Sequence, residues 1–450
     1  MKRTASLLLV FSMILFVFGM TSCKKQAEVP TKSDVMDALE AEYDVSFRMN
    51  SKDIAEDGSE AEWVFISKDG LLEVTVTWSA DDPEDFDFDA KEFYAAADVV
   101  VPDPPLVDLD PSADPDPSTD KQSNGFKIGV SMPTADLQRW NQDGEYIKSE
   151  LEKLGYEVDL QYAANDVATQ VSQVENMINS GCDVLIIATI ESSSLGEVLE
   201  DAEALNIPVI AYDRLILESD TVDYYVTFDN YMVGQLQGDY IADALELYKK
   251  PGPFYIEITA GDPGDNNAFL FYQGAMDALS YYIDNGQLVV VSGQTEFEDV
   301  ATASWSTENS QTRAEQIIDL YYSDGTQIDA WLCSNDSTAL GVENALAANY
   351  TGPYPIITGQ DCDYLNVQNI INGTQAMSVF KDTTTLADHT VVMADQILSG
   401  QTVDVKDTES FDNGSIVVPT YLCYPVVVDI NNFSEVLIDS GYYTEDDLGL

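Results

Sequence analysis

The chain has 450 residues, 45% of them hydrophobic and 22% charged, which provides for a large core and excludes a disordered or fibrous chain. Asp and Glu total 80 against 20 Lys and Arg, a formal charge of −60 that repels phosphate backbones and argues against a nucleic-acid partner. The single histidine, His389, removes any site that needs two imidazoles, and with it the His-rich zinc sites and the HExxH metalloproteases.

In chain order, Lys2 and Arg3 precede an apolar run from Leu8 to Phe18, too short for a comfortable membrane span and suited to the h-region of a secretory signal over residues 1–22. The run ends in Met20-Thr21-Ser22-Cys23, which resembles the lipobox of bacterial lipoproteins, in which the cysteine is acylated and becomes the first residue. Met20 stands where Leu is usual, and ordinary cleavage near Ser22 is the alternative. Lipidation of Cys23 accounts for an odd count of five cysteines. Cys182, Cys333, Cys362 and Cys423 then read as buried free thiols, with a Cys333 to Cys362 bridge as a geometric alternative because both follow strand ends.

Residues 23–98 read as a small acidic α+β module. A helical pattern lies near Ser33 to Tyr43, and Glu62 to Ser67 and Leu71 to Trp78 flank Lys68-Asp69-Gly70, an Asp-Gly turn signal that predicts a β-hairpin. Acidic residues dominate from Asp81 to Asp89; DFDFDAKEF lacks the central Gly of an EF-hand loop, so this run reads as solvated charge and not as a calcium site. Residues 99–125, rich in Pro and Asp, predict an extended linker.

From Phe126 apolar runs of strand length alternate with amphipathic helices, the pattern of parallel βαβ units. Strands are predicted at Lys127 to Val130, Glu157 to Gln161, Val184 to Ala188, Val209 to Tyr212, Phe254 to Ile258, Leu288 to Val291, Ala330 to Leu332, Ile356 to Thr358 and Ala376 to Phe380. A helix is predicted from about Asp166 to Asn179. So many strands, with Pro251-Gly252-Pro253 in mid-series, predict two α/β lobes.

Ligands of open parallel sheets bind beyond the carboxyl ends of the strands. Those positions carry Arg139 and Trp140; Asp213 and Arg214; Asp265, Asn266 and Asn267; Asn335 and Asp336; Gln360 and Asp361; and Lys381 and Asp382, with Trp305 in the loop after the sixth strand. Carboxylates and amides pair with vicinal hydroxyls, Arg offers a rigid donor fork, and an indole covers the apolar face of a sugar ring. Each residue also has a structural reading: Asp213 and Arg214 as a mutual ion pair, Arg139 and Trp140 as a helix-end charge beside a core indole, Trp305 as packing, and Asn266, Asn335, Asp361 and Lys381 as cap or turn residues. No nucleophile stands beside a base, no G-x-S-x-G elbow occurs and both phosphate-binding glycine motifs are absent, so neither catalysis nor a nucleotide cofactor is expected.

At these residues the chain resembles a known family. SMPTADLQRWN (Ser131 to Asn141), QVENMINS (Gln173 to Ser180), IAYDRL (Ile210 to Leu215), TFDN (Thr227 to Asn230), GDPGDNNA (Gly261 to Ala268), SNDS (Ser334 to Ser337), GQD (Gly359 to Asp361) and FKD (Phe380 to Asp382) follow one another as in xylose-binding and multiple-monosaccharide-binding proteins of bacterial sugar ABC importers. The resemblance implies an α/β, type I periplasmic-binding fold over residues 126–450: two doubly wound parallel-sheet lobes, lobe 1 about 126–250 plus 383–425 and lobe 2 about 251–382 plus 426–450, with a three-segment hinge. It implies ligand contacts at Arg139, Trp140, Asp213, Arg214, Asn267, Trp305, Asn335, Asp361 and Lys381, with Asp265 and Asn266 in a loop that varies among relatives. The hinge is expected near Phe228 to Gly234, Lys249 to Pro253 and Pro419 to Val428.

The expected function is that of a monomeric, non-enzymatic, extracytoplasmic receptor, lipid-anchored to the cell membrane, which binds a pentose or hexose and delivers it to an ABC permease and its ATPase. The alternative is a sugar sensor that presents its closed form to a chemoreceptor or sensor kinase. No metal or cofactor is implied. The residues between Cys23 and Phe126 have almost no counterpart in close relatives.

Overall fold

The computed structural model describes residues 47–54, 60–67, 72–79, 82–92 and 125–450, in two units that divide at Pro111. The signal segment, Cys23, the helical pattern near residue 40 and almost all of the linker lie outside the described residues.

The described part of the first unit is an antiparallel sheet of four strands in sequence order: β1 (Phe47–Ile54), β2 (Glu60–Ser67), β3 (Leu72–Ser79) and β4 (Asp82–Glu92). β2 and β3 pair as the expected hairpin. The acidic run forms strand β4. Phe86 and Phe88 pair with Trp78 and Val76, while Asp87 and Asp89 pair with Thr77 and Thr75, so the register of β4 alternates with that of β3. Val76 is buried and its neighbour Thr77 exposed, as that alternation requires.

In the second unit β5 (Lys127–Met132), α1 (Gln138–Lys153), β6 (Glu157–Tyr162), α2 (Val167–Asn179), β7 (Val184–Ile187), α3 (Gly196–Ala204), β8 (Val209–Tyr212) and β9 (Tyr224–Phe228) build the first lobe. α2 begins where the sequence predicts, with Asp166 accepting a hydrogen bond from the Thr169 amide. The second lobe contains α4 (Asn230–Ala244), β10 (Phe254–Thr259), α5 (Asn266–Asp284), β11 (Leu288–Val290), α6 (Thr307–Tyr321), β12 (Ala330–Cys333), α7 (Asp336–Asn349), β13 (Ile356–Ile357), α8 (Tyr364–Asn372) and β14 (Met377–Phe380). The chain returns to the first lobe for α9 (Thr383–Leu398) and β15 (Thr420–Cys423), then ends in the second with β16 (Val426–Asp429).

The first-lobe sheet is wholly parallel in the order β15-β9-β8-β7-β5-β6, and its strands are apolar on both faces because helices cover both. Ile128, Val130 and Ile186 face one core with α1 and α9, and Leu185, Ile187 and Val209 face another with α2 and α3. The second-lobe sheet runs β11-β10-β12-β13, continues through a parallel bridge between Gln360 and Val379, and closes on the antiparallel pair β14-β16.

Three connections join the lobes: Asp229 between β9 and α4, Lys381-Asp382 between β14 and α9, and Tyr424-Pro425 between β15 and β16. This moves two expected boundaries. The sequence reading keeps residues 229–250 in lobe 1 and makes 249–253 a hinge segment. Instead α4 buries Ile241 and Ala242 with Ile256 and Leu279 of the second lobe. It lies so close to α5 that a Cβ at Gly234 or Gly274 would collide with backbone of the facing helix. The middle hinge segment is therefore Lys381-Asp382. Cys182, Cys333, Cys362 and Cys423 are all free and buried, so Cys333 and Cys362 form no bridge.

Candidate functional site

The loops at the carboxyl ends of the strands of both lobes face one another across a cleft. The first turn of α1 brings Arg139 and Trp140 there from lobe 1, and the loop after β8 brings Asp213 and Arg214. From lobe 2 come Asp265, Asn267, Trp305, Asn335 and Asp361, and Lys381 stands on the connection between them. Asn266 is the exception among the expected residues. It does not line the cleft; its amide donates to the Ser192 hydroxyl at 3.1 Å, and the neighbouring Asp265 is the cap of α5. Leu137, Phe271, Ser337, Gln360 and Asp363 also line the cleft. Sequence reasoning did not select them, although Gln360 stood beside Asp361 at a strand end.

Asp213 and Arg214 do not pair with each other. Arg139 Nη2 reaches Asp213 Oδ2 at 2.5 Å, and its Nη1 lies 3.5 Å from Asp361 Oδ1 of the opposite lobe. Arg214 Nε meets Asp265 Oδ2 at 2.9 Å, again across the cleft. Lys381 Nζ stands 3.7 Å from Asp213 Oδ2 and 3.4 Å from Asp361 Oδ1, one carboxylate from each lobe. Burial by itself would raise the Asp213 carboxyl, but Arg139, Lys381 and Arg214 outweigh it and hold the group below the usual carboxylate range. Asp265 goes the other way: burial raises it, against the attraction of Arg214.

Behind the cleft, Asp143 Oδ2 accepts from Tyr212 at 2.8 Å and faces Arg139 Nε at 3.5 Å, so the guanidinium is oriented from behind. Burial pushes Asp143 up to about 6, against Arg139. The Trp140 ring carries both guanidinium groups, Arg139 at 4.6 Å and Arg214 at 5.1 Å from its centroid. Trp305 donates from Nε1 to Asp265 Oδ2 at 3.2 Å and packs edge-on to Phe271. Its indole occupies the place that a Cβ on Gly261 would take.

Backbone strain is concentrated here. Asp213 (φ 59°), Ser304 (φ 60°), Trp305 (φ 53°), Asp361 (φ 95°) and Cys362 (φ 54°) all occupy left-handed conformations that favour glycine. Surrounding bonds hold them: the Asp213 carbonyl accepts from Tyr225 Oη at 2.8 Å, Thr227 Oγ1 at 3.0 Å and Asn267 Nδ2 at 2.9 Å. Asn335 keeps its structural reading as well, because its Oδ1 caps α7 by accepting from Thr338 N at 2.9 Å while the residue lines the cleft. Three buried acceptors in the lining, Asn267 Oδ1, Gln360 Oε1 and Asp361 Oδ1, make no hydrogen bond among the described residues, and of these Asp361 Oδ1 has the ion-pair contacts with Arg139 and Lys381. Each unmet acceptor costs about 1–3 kcal/mol, so the cleft is built to receive donors. His389, in α9, is not part of the cleft; it stacks on Tyr421 at 3.8 Å.

Residues 128–402 match the family described as periplasmic binding protein domain. The chain is 46% identical over 325 residues to the multiple sugar-binding periplasmic receptor ChvE of Rhizobium radiobacter, spanning 71% of this chain and 92% of that one. It is 35% identical over 322 residues to the D-xylose-binding periplasmic protein of Escherichia coli, 72% of this chain and 92% of that protein. An ABC transporter solute-binding protein from Clostridium phytofermentans, solved with bound β-D-glucose, is 61% identical and superimposes with a TM-score of 0.71 over 72% of this chain and 99% of that one.

Proposed function

The chain belongs to the periplasmic binding protein family, and from that premise we propose that it is a lipid-anchored receptor that encloses a monosaccharide, an aldohexose of the glucose type first among them, and delivers it to an ABC permease. The observation that carries this reading is the set of three acceptors without a hydrogen bond, Asp361 Oδ1 among them in ion pairs, lying among groups that both lobes supply. Adjacent ring hydroxyls would donate to Asn267 Oδ1, Gln360 Oε1 and Asp361 Oδ1 and accept from Lys381 and the guanidinium groups, while an indole would cover the C–H face. A ligand shifts an open–closed equilibrium only by binding one state better, and contacts to both lobes exist only in the closed one.

The test is tryptophan fluorescence of the full mature chain, titrated with D-glucose, D-xylose, D-galactose and L-arabinose, since Trp140 and Trp305 both line the cleft. A saturable response is expected, and Asp361→Ala is expected to weaken binding at least about tenfold, because a charged acceptor contributes about 1.5–3 kcal/mol per bond. Unchanged affinity in that variant refutes the site assignment. Delivery and anchoring have their own readouts: deletion of the gene abolishes uptake of the bound sugar, and Cys23→Ala moves the protein from the membrane to the soluble fraction. Intact uptake with a lost transcriptional or chemotactic response to the sugar would instead establish the sensor role.

A further inference from the structure

The charges that line the cleft do not balance. Arg139, Arg214 and Lys381 face four carboxylates, and three of these, Asp213, Asp265 and Asp361, lie in ion pairs with them. The fourth, Asp363, takes part in no ion pair within 4.0 Å among the described residues. It stands at the N-cap position of α8, where an Asp side chain ordinarily accepts from the first helical amides, yet it makes no capping hydrogen bond. The residue lines the cleft instead. Its backbone is pinned in place: the Asp363 amide donates to Asp336 Oδ2 at 2.9 Å, and the next amide, of Tyr364, donates to Gln138 Oε1 of the opposite lobe at 3.2 Å.

We propose that Asp363 determines specificity: as an unpaired carboxylate in a cleft whose cations are already matched, it selects neutral, donor-rich monosaccharides and rejects sugar acids. This rests on the monosaccharide reading of the cleft given above. A sugar carboxylate entering here finds no spare cation, because each guanidinium and the ammonium already faces a carboxylate, and it meets Asp363 as a like charge in surroundings of reduced polarity. A neutral hydroxyl at the same place donates to Asp363.

The rejection depends on pH. Asp363 is faced by Asp361 in its own loop, Asp336 at the start of α7, Arg139 of α1, Cys362 beside it and Tyr443 of the C-terminal segment. Burial and then Asp361 raise its carboxyl to about 7, against the attraction of Arg139. Acidification below neutrality therefore puts a proton on Asp363, which removes the repulsion and adds a donor. Glucuronate, which has a carboxylate in place of the glucose primary alcohol, stays ionised down to about pH 5, so changes above that value report on the protein.

The experiment is calorimetric titration of the full mature chain with D-glucose and D-glucuronate at pH 8 and pH 6, for the wild type and Asp363→Asn; the readout is the ratio of the two affinities. In the wild type glucuronate is expected to bind at least about a hundredfold more weakly than glucose at pH 8, and the gap to narrow about tenfold at pH 6. In Asp363→Asn the gap at pH 8 narrows about tenfold and its pH dependence disappears. A wild-type ratio that does not change with pH, or the same ratio in both proteins, overturns the inference while leaving the monosaccharide reading intact. Silence of the wild type toward every monosaccharide overturns that reading, and this inference with it.

Discussion

At the residue scale the sequence showed which side chains crowd the strand ends but not how they pair. Asp213 and Arg214, adjacent in sequence, turn to different partners because the positive φ of Asp213 reverses the chain between them. Asn266 and Asn267 differ as the sequence reading had it, Asn267 as a contact and Asn266 as the less certain residue: the helix start sends Asn266 to the rim and Asn267 to the Asp213 carbonyl. No sequence pattern announces that Gly261 exists to admit an indole. Gly261→Ala is therefore expected to displace Trp305 and weaken sugar binding at least about tenfold, with a stability loss of about 1–3 kcal/mol; titration and thermal unfolding of the variant measure both. Glu343, outside the cleft, is buried with Oε1 unbonded and Oε2 accepting only from Asn369. Burial pushes it up to about 7 from 4.5, against that hydrogen bond. Because the folded value is the higher one, its contribution is complete below about pH 4.5 and disappears as pH rises through about 7. Asp363 and Asp143 act in the same direction. His389, lowered to about 4 by burial and by Lys406, acts oppositely, its contribution being lost as pH falls from 6.5 toward 4. Between pH 8 and pH 6 the carboxyls dominate, so Tm is expected to rise on acidification, and Glu343→Gln to lose part of that slope, about 1 kcal/mol or a couple of degrees over that range; calorimetry across it checks the loss.

At the element scale most βαβ strands of both lobes were legible because they are short apolar runs buried on both faces, which leaves an uninterrupted hydrophobic signature, whereas the edge strand β6 was legible from alternation alone. β9, β15 and β16 were not. β9 ends directly against the cap of α4, and β15 and β16 are separated by Tyr424-Pro425 alone, so in sequence they read as one hinge segment when they belong to sheets of different lobes. The misplaced boundary at residue 250 has a similar origin. Pro251-Gly252-Pro253 punctuates the chain strongly, but helix packing decides lobe membership, and the signal for packing is the small residues of α4. Gly238 lies where a Cβ would meet Ala278 and the Ala275 carbonyl of α5. Gly238→Ala is expected to lower stability by about 1–3 kcal/mol and to leave glucose affinity within about threefold, since the helix pair lies inside one lobe. Chemical denaturation alongside a sugar titration separates the two effects; a large loss of affinity at unchanged stability would show that α4 takes part in closure.

At the scale of the whole molecule the second unit is a closed form held at three places. Ion pairs cross the centre of the cleft, from Arg139 to Asp361 and from Arg214 to Asp265. At one rim the Ser192 amide donates to the Gly264 carbonyl at 3.0 Å and the Ser192 hydroxyl accepts from Asn266. At the other, Gln138 Nε2 reaches Tyr443 Oη at 2.9 Å and Gln142 Nε2 reaches Tyr364 Oη at 3.3 Å. Without a sugar this form leaves the amide acceptors Asn267 Oδ1 and Gln360 Oε1 unmet, at about 1–3 kcal/mol each, whereas opening returns them to water. The rim hydrogen bonds contribute about 0.5–1.5 kcal/mol each, a gain of the same order as that cost. Hydroxyls that fill the cleft remove that cost in the closed form alone, and so shift the balance toward it. Rim residues then act on affinity without touching the sugar, because apparent affinity scales with the fraction of protein that can close. Tyr443→Phe, which removes one closed-state bond along with the donor to the Cys362 carbonyl at 3.0 Å and preserves the ring that stacks on Tyr364 at 4.5 Å, is expected to weaken glucose binding about three- to tenfold. X-ray scattering is expected to give a larger radius of gyration for the sugar-free protein than for the sugar-saturated one, and the same two radii for the variant at a higher sugar concentration. Equal radii with and without sugar would mean that the closed form is the resting state and that the cleft-spanning ion pairs outweigh the unmet acceptors.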